Sequence, residues 1–105
     1  MRKNFRTYDL AVEFYKRSKT LPLPRHLKDQ LNRASSSIAL NLAEGSVKLS
    51  KKDQRRFFNI AFGSLRECQA ILDLSLQHSS DELVQLADIL AAHLYRLIKA
   101  TSKAA

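Results

Sequence analysis

The residues that could support catalysis or metal binding are few and scattered along the chain. The histidines His26, His78 and His93 fall in different predicted elements. No His-x-x-x-His, Cys-x-x-Cys or Glu-x-x-His spacing occurs, so a metal site would have to assemble between chains. The run of serines at 35–37 has no adjacent histidine to act as a base. Cys68 lies among apolar helical positions, which favours a small buried side chain over a nucleophile. We therefore expect no enzyme activity, no metal and no cofactor.

Positive charge is the strongest chemical signal in the sequence. Eighteen Lys and Arg residues against ten Asp and Glu give a net charge of +8. Residues 48–56 hold five basic side chains against Asp53 alone: Lys48, Lys51, Lys52, Arg55 and Arg56. Two pairs of these at i,i+4 spacing are expected on the solvent side of a helix, and clustered cations attract phosphate backbones. The segment predicts a nucleic-acid site of low sequence specificity, because no base-reading motif is present. The alternative is a solvated face that only keeps the protein soluble.

Length and composition predict one small helical domain over residues 1–105. Two Gly and two Pro residues in 105 favour a few long helices over a sheet, which needs more turns. The single cysteine excludes an intramolecular disulfide and fits a reducing cytoplasm. No apolar run approaches the roughly 18 residues of a membrane span. The basic start of the chain leads into no signal-peptide stretch. We expect a cytoplasmic protein that does not interact with membranes.

Hydrophobic periodicity predicts four helices, at about 7–19, 25–44, 51–77 and 81–100. Two prolines at 22 and 24 end the first helix, and the second of them suits the first turn of the next. Gly45 is expected to end the second helix because it can adopt the left-handed conformation. Ser50 is an N-cap candidate with Asp53 three positions on. Short connections predict an all-α, antiparallel up-down four-helix bundle.

Polar and small residues interrupt the apolar positions of the second and third helices. Asn41 and Ser64 are expected to face the core, with Ser37 one turn from Asn41 to support it, and a buried Asn fixes helix register. Gly63 would let two helices approach closely, at a propensity cost of about 1 kcal/mol. This arrangement favours a packing device, and the alternative is a binding pocket made by Asn41, Glu44 and Ser64.

The apolar arcs of the third and fourth helices are wider than one bundle core needs. A single packed face requires a stripe of a little over roughly 100°. The excess favours a second buried surface and hence a homo-oligomer. The alternative is a thick core with a few exposed leucines, which are normal on any protein.

Two motifs resemble those of a known family. The string Leu27-x-x-Gln30-Leu31-x-Arg33-Ala34-x-x-Ser37-Ile38-x-x-Asn41-x-Ala43-Glu44-Gly45 is similar to the signature of the four-helix-bundle proteins encoded in 23S ribosomal RNA intervening sequences. The string Phe57-Phe58-x-Ile60-Ala61-x-Gly63-Ser64-Leu65-x-Glu67 resembles that family's second motif. Arg25 and His26 depart from the pattern, because the family usually has an acidic residue after the proline that opens this helix. The departure adds positive charge and leaves the core motif intact.

The resemblance implies a left-handed bundle that assembles as a ring-like homopentamer. It also implies a relationship to the accessory protein of diversity-generating retroelements, a basic bundle that binds nucleic acid and a reverse transcriptase. The family has no established catalytic activity. Two hypotheses follow: a protein that binds RNA or DNA through Lys48, Lys51, Lys52, Arg55 and Arg56, or an oligomeric scaffold whose partner is another protein.

Overall fold

The computed structural model describes residues 5–75 and 81–102 and contains four α-helices. Helix α1 spans Arg6–Ser18, α2 Arg25–Ser46, α3 Lys51–Leu74 and α4 Asp81–Ser102. No strand occurs in these two segments, so the prediction of an all-α four-helix protein is confirmed. The third helix ends earlier than predicted, with Ser75 as its C-cap; residues 76 and 77 of the predicted helix lie outside the described part of the chain.

Local side-chain chemistry accounts for most helix ends. Pro24 precedes α2 with an extended backbone, as expected for a residue that cannot donate a backbone hydrogen bond. The Ser50 hydroxyl accepts a hydrogen bond from the Asp53 backbone N–H at 3.0 Å, which confirms the predicted N-cap of α3. The prediction for Gly45 is wrong. The residue is helical, α2 continues to Ser46, and Val47 is the C-cap.

The helices pack in chain order around one core. Each contacts its neighbour in sequence, and α1 also contacts α4. Three contacts join the end of one helix to the first half of a neighbouring helix. They are Arg17 of α1 with Glu82 of α4, Gly45 of α2 with Phe58 of α3, and Thr101 of α4 with Arg55 of α3. These contacts fit neighbours that run in opposite directions; the left-handed twist stays a prediction.

The core is apolar and continuous along the bundle. Its largest fully buried side chains are those of Phe14, Leu31, Ile38, Leu42, Leu65, Leu90 and Leu94. Each such side chain contributes about 1.5–3 kcal/mol when it leaves water. Two buried hydroxyls, those of Ser18 and Ser35, donate to backbone carbonyls one turn earlier on their own helices. None of the described helices is both long and apolar enough to cross a membrane.

Candidate nucleic-acid interface

The predicted basic segment lies at one end of the bundle, but its members have different roles. Lys51 and Lys52, at the first positions of α3, are exposed. Within the described segments, neither forms an ion pair with a carboxylate. Both ammonium groups are therefore available to an external anion.

Phe57 organises two further cations of the segment. The Lys48 ammonium lies 5.1 Å from the centre of the Phe57 ring, and the Arg56 guanidinium carbon lies 4.7 Å from it. At such distances a cation is attracted to the ring, by about 0.5–1 kcal/mol at exposed sites. Glu44 forms an ion pair with Lys48 at 3.0 Å, whereas Arg56 is exposed. Arg56 is therefore held in place without being neutralised, and Lys48 is partly neutralised.

The Arg55 side chain packs against α4 instead of pointing freely into solvent. Its side chain is half-buried, and a guanidinium N–H donates a 2.7 Å hydrogen bond to the backbone carbonyl of Thr101, in the last turn of α4. The prediction that Arg55 lies on the solvent side of α3 is wrong. The last carbonyls of a helix have no partner within the helix, and a cation there satisfies one of them and favours the helix dipole.

Basic residues from other helices converge on the same end. Phe5, which precedes α1, borders one groove together with Leu97, Ala100 and Thr101, so the start of α1 lies beside the end of α4. Burial of the imidazole, followed by the positive charges of Arg96 and Arg6, lowers the pKa of His93. We define the basic end as Arg6, Lys48, Lys51, Lys52, Arg55, Arg56, Arg96 and Lys99. These eight cations are accompanied by two acidic residues, Glu44 and Asp53. The other described positions hold seven basic and eight acidic residues. All of the net positive charge of the described residues is therefore at this end.

Sequence reasoning missed three members of the basic end: Arg6, Arg96 and Lys99. They are far from residues 48–56 in the chain and form no run of their own. The signal was available in the predicted topology. In an up-down bundle the start of the first helix, the start of the third and the end of the fourth lie at one end.

The polar residues of the two motifs form a small network between α2 and α3. The hydroxyls of Ser37 and Ser64 lie 2.8 Å apart across the two helices. The Asn41 amide donates to the Ser37 carbonyl at 2.9 Å and to its hydroxyl at 3.1 Å. All three side chains are half-buried, so the prediction that Asn41 and Ser64 face the core is wrong in degree. They lie at the edge of the α2–α3 contact, where their bonds tie the two helices together.

The close approach of two helices that was predicted at Gly63 occurs at Gly45 instead. A Cβ added to the buried Gly45 would lie 2.6 Å from the Phe58 ring and 3.1 Å from the Cβ of Phe57, so Gly45 permits the close approach of α2 and α3. Gly63 is exposed, and a Cβ there would meet no atom within 4 Å. Of the other motif residues, Ala34 is buried, whereas Gln30, Arg33 and Glu44 are exposed.

The remaining candidates for chemistry do not gather into a site. Cys68 is fully buried, and burial, with a smaller effect of Glu67, raises the pKa of its thiol to about 12. His26 is exposed, His93 is half-buried on α4, and His78 lies outside the described residues. In the described part of the chain, no three His, Cys, Asp or Glu side chains are grouped so that they could hold a metal ion.

The sequence as a whole matches a known family. A family model described as 23S rRNA-intervening sequence protein matches residues 5–99. The chain belongs to this family. The match covers all of α1, α2 and α3 and most of α4, and includes all eight residues of the basic end. No curated protein shows significant sequence similarity to the chain.

Proposed function

We propose that this family member is a non-enzymatic cytoplasmic protein that binds nucleic acid, RNA in particular, through its basic end. The observation that carries the proposal is the convergence of eight cations from three helices and one loop, with only two acidic residues beside them. A cluster of this kind attracts phosphates by releasing their condensed counterions. The free Cys68 is consistent with a reducing compartment.

The chemistry of the exposed cations favours weak, sequence-tolerant binding. Lys51, Lys52 and Arg56 are exposed and present two ammonium groups and one guanidinium to solvent. Contacts from such groups to phosphate oxygens position a protein on a strand but carry no sequence information. Binding should therefore depend steeply on salt and little on base order.

A charge-reversal variant tests the proposal. In the variant K51E/K52E/R56E, Arg55 is left in place because it supports α4. Each phosphate contact on a single strand contributes roughly 0.7 to the slope of log affinity against log salt, so three lost contacts should lower the slope by about 2. Fluorescence anisotropy of a labelled 20-nucleotide RNA, titrated at several salt concentrations, measures both affinity and slope.

The matched control removes the same charge from the opposite end. Lys16, Lys19 and Arg25 are exposed, and K16E/K19E/R25E changes the net charge equally. The control should bind RNA far better than the basic-end variant. Equal affinity of wild type and basic-end variant, or equal losses in both variants, would contradict a defined RNA surface.

We also propose that copies of the chain associate, in line with the homopentamer that the family resemblance implies. Leu40 and Ile60 are exposed apolar side chains, at 67% and 45% of their full accessibility. The Ser37–Ser64 contact places them side by side, because each lies one turn from its serine toward the same end of the bundle. A paired apolar surface on neighbouring helices supports association.

Light scattering of L40E/I60E tests this assembly. The wild type is expected to be larger than a monomer, and the variant should dissociate while keeping its helical circular dichroism. A monomeric wild type would contradict the proposal.

The scaffold hypothesis predicts a different outcome of the RNA experiment: no RNA affinity, with a stoichiometric protein recovered on the immobilised oligomer from nuclease-treated lysate.

A further inference from the structure

A groove opens in the middle of the basic end, where all four helices meet. It has a volume of about 330 Å³ and is bordered by Phe5, the end of α2, the start of α3 and the end of α4. Phe58 and Thr101 are buried and lie at its base, whereas Lys51 and Ala100 are exposed at its rim. Leu97 adds further apolar surface. The groove is thus apolar inside and cationic at its edge.

Its charge distinguishes this groove from the larger one between α1 and α4. That groove measures about 620 Å³, but Asp9, Glu13 and Glu82 line it together with Lys16 and Arg17. Three carboxylates disfavour a phosphate. The described lining of the groove at the basic end contains Lys51 and no carboxylate, and Arg55 is bound to the carbonyl of its lining residue Thr101. An anionic ligand with a flat apolar part is therefore complementary to this groove and not to the larger one.

We propose that the groove accepts one unpaired nucleotide of a bound strand, with the base against Phe58 and Leu97 and its phosphate at Lys51. The inference rests on the proposed function, because the surrounding cations hold the strand. Ligand pockets typically measure roughly 300–1,000 Å³, so a groove at the small end of this range suits a single base. A base within a duplex is stacked on both faces and cannot enter, so the groove selects single-stranded over double-stranded RNA.

A groove-filling variant tests the proposal without changing any charge. Ala100→Trp places an indole at the rim of the groove, and Ala92→Trp places the same side chain on an exposed site of α4 outside it. Loss of one base contact should weaken binding of a single-stranded RNA about tenfold in Ala100→Trp, within the range measured for single stacked bases. Its affinity for a blunt RNA duplex of equal length should not change. Ala92→Trp should match the wild type for both.

A second measurement does not depend on the variants. In the wild type, titration with adenosine monophosphate should shift the amide NMR signals of Leu97, Ala100 and Lys51, and that of Ala92 should stay in place. Thermal unfolding followed by circular dichroism verifies that both tryptophan variants fold.

The outcomes separate the two proposals. If wild type binds single strands and duplexes equally, or Ala100→Trp weakens both or neither, the nucleotide groove is refuted while the basic end stands. If K51E/K52E/R56E binds RNA as tightly as wild type, the basic end is refuted and the groove loses the cations that would hold its strand.

Discussion

Replacing Gly45 by alanine is expected to destabilise the bundle, although alanine is the better helix former. The added methyl carbon would lie 2.6 Å from one atom and 2.9 Å from another atom of the Phe58 ring. It would also lie 3.1 Å from the Cβ of Phe57. Phe58 is only 3% exposed and cannot swing into solvent. The Phe57 atom is fixed to the backbone, so relief requires α2 and α3 to separate.

Two opposing effects set the magnitude. Exchange of glycine for alanine inside a helix favours folding by at most about 1 kcal/mol. Inserting a methyl group into a packed site costs about 1–3 kcal/mol through displaced side chains and backbone. Because ring and backbone atoms both oppose the methyl group of Gly45→Ala, the steric cost should win. The net loss in unfolding free energy should be about 1 kcal/mol.

Gly63→Ala is the matched control, since it makes the same chemical change where no atom lies within 4 Å. It should stabilise the protein by about 0.4–1 kcal/mol. Urea unfolding followed by circular dichroism gives both values. All variants must be compared at one protein concentration, because association would add to stability. In a Phe58→Leu background the penalty at Gly45 should shrink, which a double-mutant cycle detects.

Stabilisation by Gly45→Ala equal to that by Gly63→Ala would refute this reasoning. It would mean that the Phe58 ring yields at no cost and that close approach does not determine the residue at position 45. An undiminished penalty in the Phe58→Leu background would locate the clash at the backbone of α3 instead of the ring.

Three further predictions concern Arg55, Cys68 and His93. Arg55→Ala should lower the free energy of unfolding by about 1 kcal/mol, since hydrogen bonds to charged groups are worth roughly 1.5–3 kcal/mol and water screens this half-buried one. Amide hydrogen exchange should accelerate at the end of α4. Unchanged exchange there would contradict the role of Arg55 in holding the end of α4. Burial raises the pKa of the Cys68 thiol from 9.0 to about 12, so the thiol should react with iodoacetamide at pH 8 only when the protein unfolds. The contribution of this thiol to stability should be present below pH 9 and should be lost as the pH rises toward 12. Cys68→Ala should not show that loss. The lowered pKa of His93 favours the neutral imidazole in the folded protein, so the contribution of His93 to stability is present above pH 6.5 and is lost as the pH falls. The urea midpoint of His93→Gln should therefore change less between pH 7 and pH 5 than that of the wild type. Identical pH profiles of the two proteins would refute this.

The candidate site was only partly predictable because charge runs report position in the chain and not burial. Lys51 and Arg55 are one turn apart and looked equivalent in the sequence. One is exposed, and the other is bound to Thr101, 46 positions away. The same limit explains Asn41, whose spacing placed it in the core. Its half-buried position depends on the rotation of α2 about its own axis against α3, which spacing does not specify.

The sequence by itself determined the four helices, the start of α3 at Ser50 and the basic segment after α2, because periodicity, capping and local charge act over a few residues. Only the tertiary structure decided which cations are free and that Gly45 and not Gly63 faces a neighbouring helix. These properties arise between residues far apart in the chain. The packing of one helix against another creates them, so no local pattern records them.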